Sequence, residues 1–90
     1  MIRWRRHPEA QATELDGEAF LVRRDRDAIL HLNPTATALW RALDEPTSRD
    51  ELVDVFALAY PEEPADRLTG DLDRALAALV ADGMVTTDDE

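Results

Sequence analysis

The sequence predicts an α+β domain, a three-stranded antiparallel sheet followed by three helices. Three observations lead there. Asp16-Gly17 stands between two short strand-like runs, and both residues tolerate the positive φ that a two-residue hairpin requires. After Leu32 the pattern changes from short runs to apolar residues at helical spacing. Strands and helices therefore fall in separate blocks, as they do when helices cover one face of an antiparallel sheet.

The elements follow in order. The first strand is expected at Ala10–Leu15 and the second at Glu18–Arg24. A turn at Asp25-Arg26 leads to the third, Asp27–Leu32. Asn33-Pro34 is a helix cap followed by proline at the first helical position. Ala36, Leu39, Trp40 and Leu43 then form an apolar stripe, which Asp44-Glu45-Pro46-Thr47 interrupts. Ser48 and Glu51 have the spacing of a capping box, and Leu52, Val55, Phe56 and Ala59 make the second stripe. The third helix is expected from Pro64 to about Asp82, with Gly83 as its stop, on Leu68, Leu72, Ala75, Leu76, Leu79 and Val80. The second and third helices resemble a helix-turn-helix pair, which makes the whole winged-helix-like. Residues 1–9 are expected to be a flexible basic arm, 10–85 the domain, and 86–90 a frayed acidic tail.

Ninety residues suffice for one core and no more. The absence of cysteine excludes a disulfide framework and a thiolate metal site. No apolar run reaches membrane-spanning length, and the N-terminus has no signal-peptide core, so a cytoplasmic protein is expected. Ten arginines and no lysine face twenty acids, for a net charge of −10. Residues 1–24 carry +1 and residues 25–90 carry −11. That distribution repels phosphate backbones and anionic lipid, so neither nucleic acid nor a membrane is an expected partner.

Catalytic chemistry finds little support. His7 and His31 are the only histidines, and neither has a nucleophile within a recognisable motif. The acidic pairs, Glu62-Glu63 and Asp71 with Asp73 among them, fall on exposed helix faces, where they titrate as ordinary solvated groups. The three glycines are too scattered for a phosphate loop. No catalytic residue, metal ligand or cofactor is assigned. Trp40 and Phe56 read as core.

A binding module remains. The third strand, Ala28-Ile29-Leu30-His31-Leu32, carries no lysine, proline or acid of the kind that blunts sheet edges. Either neighbouring elements cover it, or it is a docking edge for an extended peptide by strand addition. An adaptor or antitoxin-like interaction module is an alternative. A winged-helix DNA binder is a weaker one, since the third helix holds Arg67 and Arg74 against four aspartates.

Leu32-Asn33-Pro34-Thr35-Ala36 directly after a strand, followed by Leu39-Trp40-Arg41-Ala42-Leu43, resembles the hallmark of the PqqD-like family. Asp71, Leu76, Leu79 and Gly83-Met84 resemble its Asp–Leu–Leu–Gly–Leu pattern, and the similarity covers about residues 10–85. Two loops depart from it. Asp44-Glu45-Pro46 and Asp25-Arg26 stand where members often carry glycine. These members are the recognition elements of ribosomal peptide natural-product pathways. The resemblance implies the winged-helix-like fold and a partner, the leader segment of a precursor peptide, laid against the third strand in a groove with the third helix. It also implies a second partner, a tailoring enzyme such as a radical-SAM enzyme or cyclodehydratase, or the leader peptidase of a lasso-peptide pathway.

Candidate contacts follow. Ala28, Ile29, Leu30, His31 and Leu32 are the edge. On the third helix, Leu72 is set at the centre of the core face, and Leu68 and Ala75, then Asp71 and Ala78, lie toward one flank. That flank is expected to be the groove wall, the flank of Thr69, Asp73, Leu76 and Val80 being the alternative. Arg67 and Arg74 share a face with Asp71 between them, which can pair with either, and one of the arginines is expected at the rim. Proline at Ile29 or His31 is expected to weaken binding unequally, with only one of the two N–H groups pointing outward.

Overall fold

A computed structural model describes residues 1–89. Its elements are β1 (Ile2–Arg6), β2 (Ala10–Leu15), β3 (Glu18–Arg23), β4 (Ala28–His31), α1 (Pro34–Ala42), β5 (Thr47–Ser48), α2 (Arg49–Ala59), α3 (Ala65–Ala81) and β6 (Val85–Asp89). The expected meander is the antiparallel sheet β2-β3-β4, and the three helices follow it. Asp16 and Gly17 take φ of 54° and 81° and set the register at Leu15 opposite Glu18. Ala19 and Leu21 point inward under the helices, while Phe20 and Val22 point out.

The helix ends obey their local signals. The Asn33 side chain accepts from the Ala36 N–H at 2.8 Å, and the Ser48–Glu51 capping box is present. Gly83, at φ 72°, closes α3 with the paired bonds of a Schellman motif, Met84 N–H to Leu79 O and Gly83 N–H to Val80 O. The core gathers Leu21, Leu32, Leu39, Trp40, Leu43, Leu52, Phe56, Leu72, Leu76 and Leu79 with Met84 and Val85.

The expected arm and tail are corrected. Residues 2–6 are strand β1, which pairs antiparallel with β6 and with β5 in a second three-stranded sheet. Charge joins the two ends of the chain. Arg5 Nε lies 3.1 Å from Asp88 and the terminal ammonium 3.5 Å from Asp89, and Arg3 stands opposite Asp88 in the register. Arg6 donates to the Trp40 carbonyl and stacks over the Trp40 ring, while Trp4 packs on the core. Both runs look like loose ends locally, because the pairing joins residues about eighty positions apart. Glu90, the last residue of the expected tail, lies outside the described residues.

Two buried polar groups lock the corners around β4. Thr37 Oγ1, fully buried, accepts the Ala19 N–H at 3.0 Å and donates toward the Leu32 carbonyl, so its hydroxyl bridges the end of the β3–β4 ladder. Arg23 donates to the Gly83 carbonyl at 3.0 Å and grips both oxygens of Asp25. That fork ties the β3–β4 turn to the C-terminus of α3, and the Arg23 guanidinium holds the Asp25 carboxyl below the usual carboxylate range.

Candidate peptide-binding cleft

The meander order leaves β4 at an edge. The Leu32 N–H donates to Ala19 O at 2.8 Å, toward β3. Because backbone groups alternate along an antiparallel strand, Leu30 and Ala28 also face β3, and the N–H and C=O of both Ile29 and His31 face the open edge. The expected inequality between these two positions is therefore corrected. They are two residues apart and share one direction.

Beside this edge lies a cleft of about 380 Å³. Leu30, His31 and Leu32 form one wall, Asn33, Thr35 and Ala36 of the first turn of α1 one end, and Asp71, Arg74, Ala75, Ala78 and Leu79 of α3 the other wall. The Asn33-Pro34 start brings α1 against the end of the strand, because the cap ends the extended backbone and proline pre-sets the helical φ. The short side chains of Ala75 and Ala78 leave the space between α3 and β4 unfilled. Arg74 is ion-paired with Asp71 on the rim, so the question of Asp71's partner is answered in favour of Arg74. On the other side of β4, His31 Nε2 lies 2.7 Å from Glu18 and its ring stands 4.9 Å from that of Phe20.

Six of the expected residues meet here: Leu30, His31, Leu32, Asp71, Arg74 and Ala75. The flank bearing Asp71, Ala75 and Ala78 faces β4, and the alternative flank does not line the cleft. Five expected residues stand elsewhere. Leu72 is fully buried in the core and presents nothing to a ligand. Leu68 is also buried, and it borders two smaller depressions away from β4. Arg67 lines one of these, 3.9 Å from Glu63. The Ala28 side chain is half-buried and outside the cleft, and the Ile29 side chain is 76% exposed, so Ile29 offers only its backbone to the edge. Asn33, Thr35, Ala36 and Leu79 were absent from the expected contacts, whereas Ala78 lies on the flank expected to be the wall. The signal for the first three was the capped proline itself, which obliges the first turn of a helix to sit beside the strand it follows.

Among the described residues, no group of three or more His, Cys, Asp or Glu side chains is placed to hold a metal ion. Among the described residues, no helix is long and apolar enough to cross a membrane.

A search of curated proteins found no match. Among solved structures, the fold is similar to that of a chain described as TbiB1 in complex with the TbiA(beta) leader peptide. The TM-score is 0.79 at 20% sequence identity, over 90% of this chain and 93% of that one. A likeness at this identity shows a shared fold, here the winged helix-turn-helix-like α+β arrangement. The family model for the coenzyme PQQ synthesis protein D matches residues 18–85. That match takes in β3, the open edge of β4, the Asn33-Pro34 corner and all of α3, and on it the chain belongs to the PqqD family.

Proposed function

We propose that this protein holds the leader segment of a ribosomally made precursor peptide and presents it, in the cytoplasm, to a tailoring enzyme or leader peptidase. It contributes no chemistry of its own. The leader adds as a strand to β4 and sends alternate side chains into the cleft against α3. The observation that carries this reading is the edge itself. Two residues with outward backbone donors and acceptors flank a partly apolar cleft, with no charge or proline to repel a visiting strand. Family membership supports it, as does the leader peptide bound by the similarly folded TbiB1. Its contact residues are the backbone of Ala28–Leu32 and the side chains of Leu30, Asp71, Arg74 and Ala75, with Arg67, Leu68 and Leu72 set back from the main cleft. A DNA-reading role is disfavoured by α3, whose exposed arginines, 67 and 74, are each ion-paired with an acid of this chain.

The test is calorimetric titration with a synthetic leader of a precursor encoded beside this gene. Wild-type protein is expected to bind it. Ala75→Arg, which fills the cleft from a half-buried position of its wall, should lose more than about tenfold in affinity, with its fold checked by melting temperature. Undiminished binding by a folded Ala75→Arg variant would overturn this reading.

A further inference from the structure

We infer that the recognised peptide segment is longer than the strand β4 can pair, and that its unpaired end is read by a second, polar compartment over Arg67. This rests on the leader-binding reading and extends it. A depression of about 230 Å³ is lined by Thr35, Tyr60, Glu63, Arg67, Leu68 and Asp71. Thr35 and Asp71 also line the main cleft, so the two spaces share a boundary and form one trough.

The trough outruns the edge. Along α3 its wall runs from Arg67 to Leu79, about 18 Å at the helical rise. The two outward-facing residues of β4, Ile29 and His31, are only about 7 Å apart. The surplus corresponds to roughly three extended residues. Its position is settled by the packing. Arg23 fastens the β3–β4 turn to Gly83 at the C-terminus of α3, whereas Thr35, beyond the far end of β4, lines both spaces together with Asp71. The trough therefore continues past His31, toward the turn between α2 and α3.

The chemistry changes along it. The main cleft sets Leu30, Leu32, Ala75 and Ala78 beside the Asp71–Arg74 pair and is about half apolar, while the second compartment, with Glu63, Arg67 and Tyr60 added to the shared Asp71, is mostly polar. Both arginines are exposed, but Arg74 is tied closely to Asp71 while Arg67 is held only at 3.9 Å by Glu63. Arg67 is thus the cation that can re-pair at small cost. The occupant is the continuation of the same peptide, through polar side chains that hydrogen-bond or pair with Arg67 and its neighbours.

The experiment selects binders from a display library of long random peptides on the immobilised full chain, then shortens each peptide from both ends. Binding to β4 is checked by N-methylating alternate peptide amides, which removes ladder donors without touching the protein. Shortening one end to the strand-paired core is expected to cost about tenfold in affinity, and shortening the other end nothing. Arg67→Ala should weaken the long peptides about threefold and leave the cores unchanged. A core that binds as tightly as its parent overturns the inference, as does an Arg67→Ala effect independent of peptide length. Peptides indifferent to N-methylation, or no binders at all, would instead bring down the leader-binding reading itself.

Discussion

The two small sheets treat their edges in opposite ways. In β5-β1-β6, one outer strand is only two residues long and the other runs Thr86-Thr87-Asp88-Asp89, a polar and acidic edge that a visiting strand meets as charge. In β2-β3-β4 the far edge, β2, carries Glu14, which is paired with Arg41 of α1. The β4 edge alone among these has no acid, no proline and a cleft beside it. Aggregation pressure ordinarily removes such an edge, and its presence beside a shaped wall is the feature on which the leader-binding proposal rests.

The largest effect separates the wall from the core behind it. Leu72→Ala empties a fully buried position one turn from Ala75, and should destabilise the fold by about 2–5 kcal/mol. Denaturant titration checks this, and the molecules that remain folded should bind leader normally. A specific binding loss with unchanged stability would place Leu72 in the cleft after all.

Proline tests the open edge against the closed sheet. Ile29→Pro and His31→Pro should each lower leader affinity by more than about tenfold, and to a similar degree, because both N–H groups face outward. Thr87→Pro, in the terminal sheet, should lower stability while folded protein keeps its affinity. Circular dichroism establishes folding in each case, and strongly unequal effects at 29 and 31 would show that the register of β4 differs from the one described.

Acid should loosen the ties around both regions. Glu14, Asp25, Glu51 and Asp73 are held below the usual carboxylate range, chiefly by side-chain hydrogen bonds from Arg41, Arg23, Ser48 and Arg49 respectively. A depressed carboxyl contributes its stability above its unfolded pKa and loses it as pH falls through the folded one. The melting temperature should therefore be nearly flat from neutral pH down to about 5 and decline below about 4. Asp25→Asn should start lower at neutral pH and decline less steeply, which thermal scans across pH will show.

The smallest effect belongs to the clamp between the chain ends. Arg5→Ala removes a half-exposed pair with Asp88 and should cost about 0.2–1 kcal/mol, less in high salt, with no change in leader affinity. A change in affinity would mean that the terminal sheet communicates with the cleft.

Much of this was legible from local chemistry. Asp16-Gly17, Asn33-Pro34, Ser48 with Glu51 and Gly83 each act within a few residues, and each appears in the structure where its own backbone preference puts it. The leucine stripe of α3 likewise oriented the helix closely enough to choose the flank that faces β4. Leu68 and Leu72 were misplaced from wall to interior because helical angle ranks residues by direction, while depth depends on what packs above them. Thr37 and Arg23 gave no signal at all, since a buried hydroxyl and a buried guanidinium are distinguished from exposed ones only by partners far along the chain.

By itself, then, the amino-acid sequence determined the class of fold, the order of the meander and the three helices, their caps and turns, and an uncharged strand followed at once by a capped helix. These depend on interactions between near neighbours, whose geometry the chain cannot avoid. Only the tertiary structure decided that β4 has an open side, that alanines at 75 and 78 leave a cleft opposite it, and that the arginines of one terminus pair with the aspartates of the other. Those outcomes depend on distant segments meeting, where shape and charge must match across the whole chain and no single stretch of residues contains the answer.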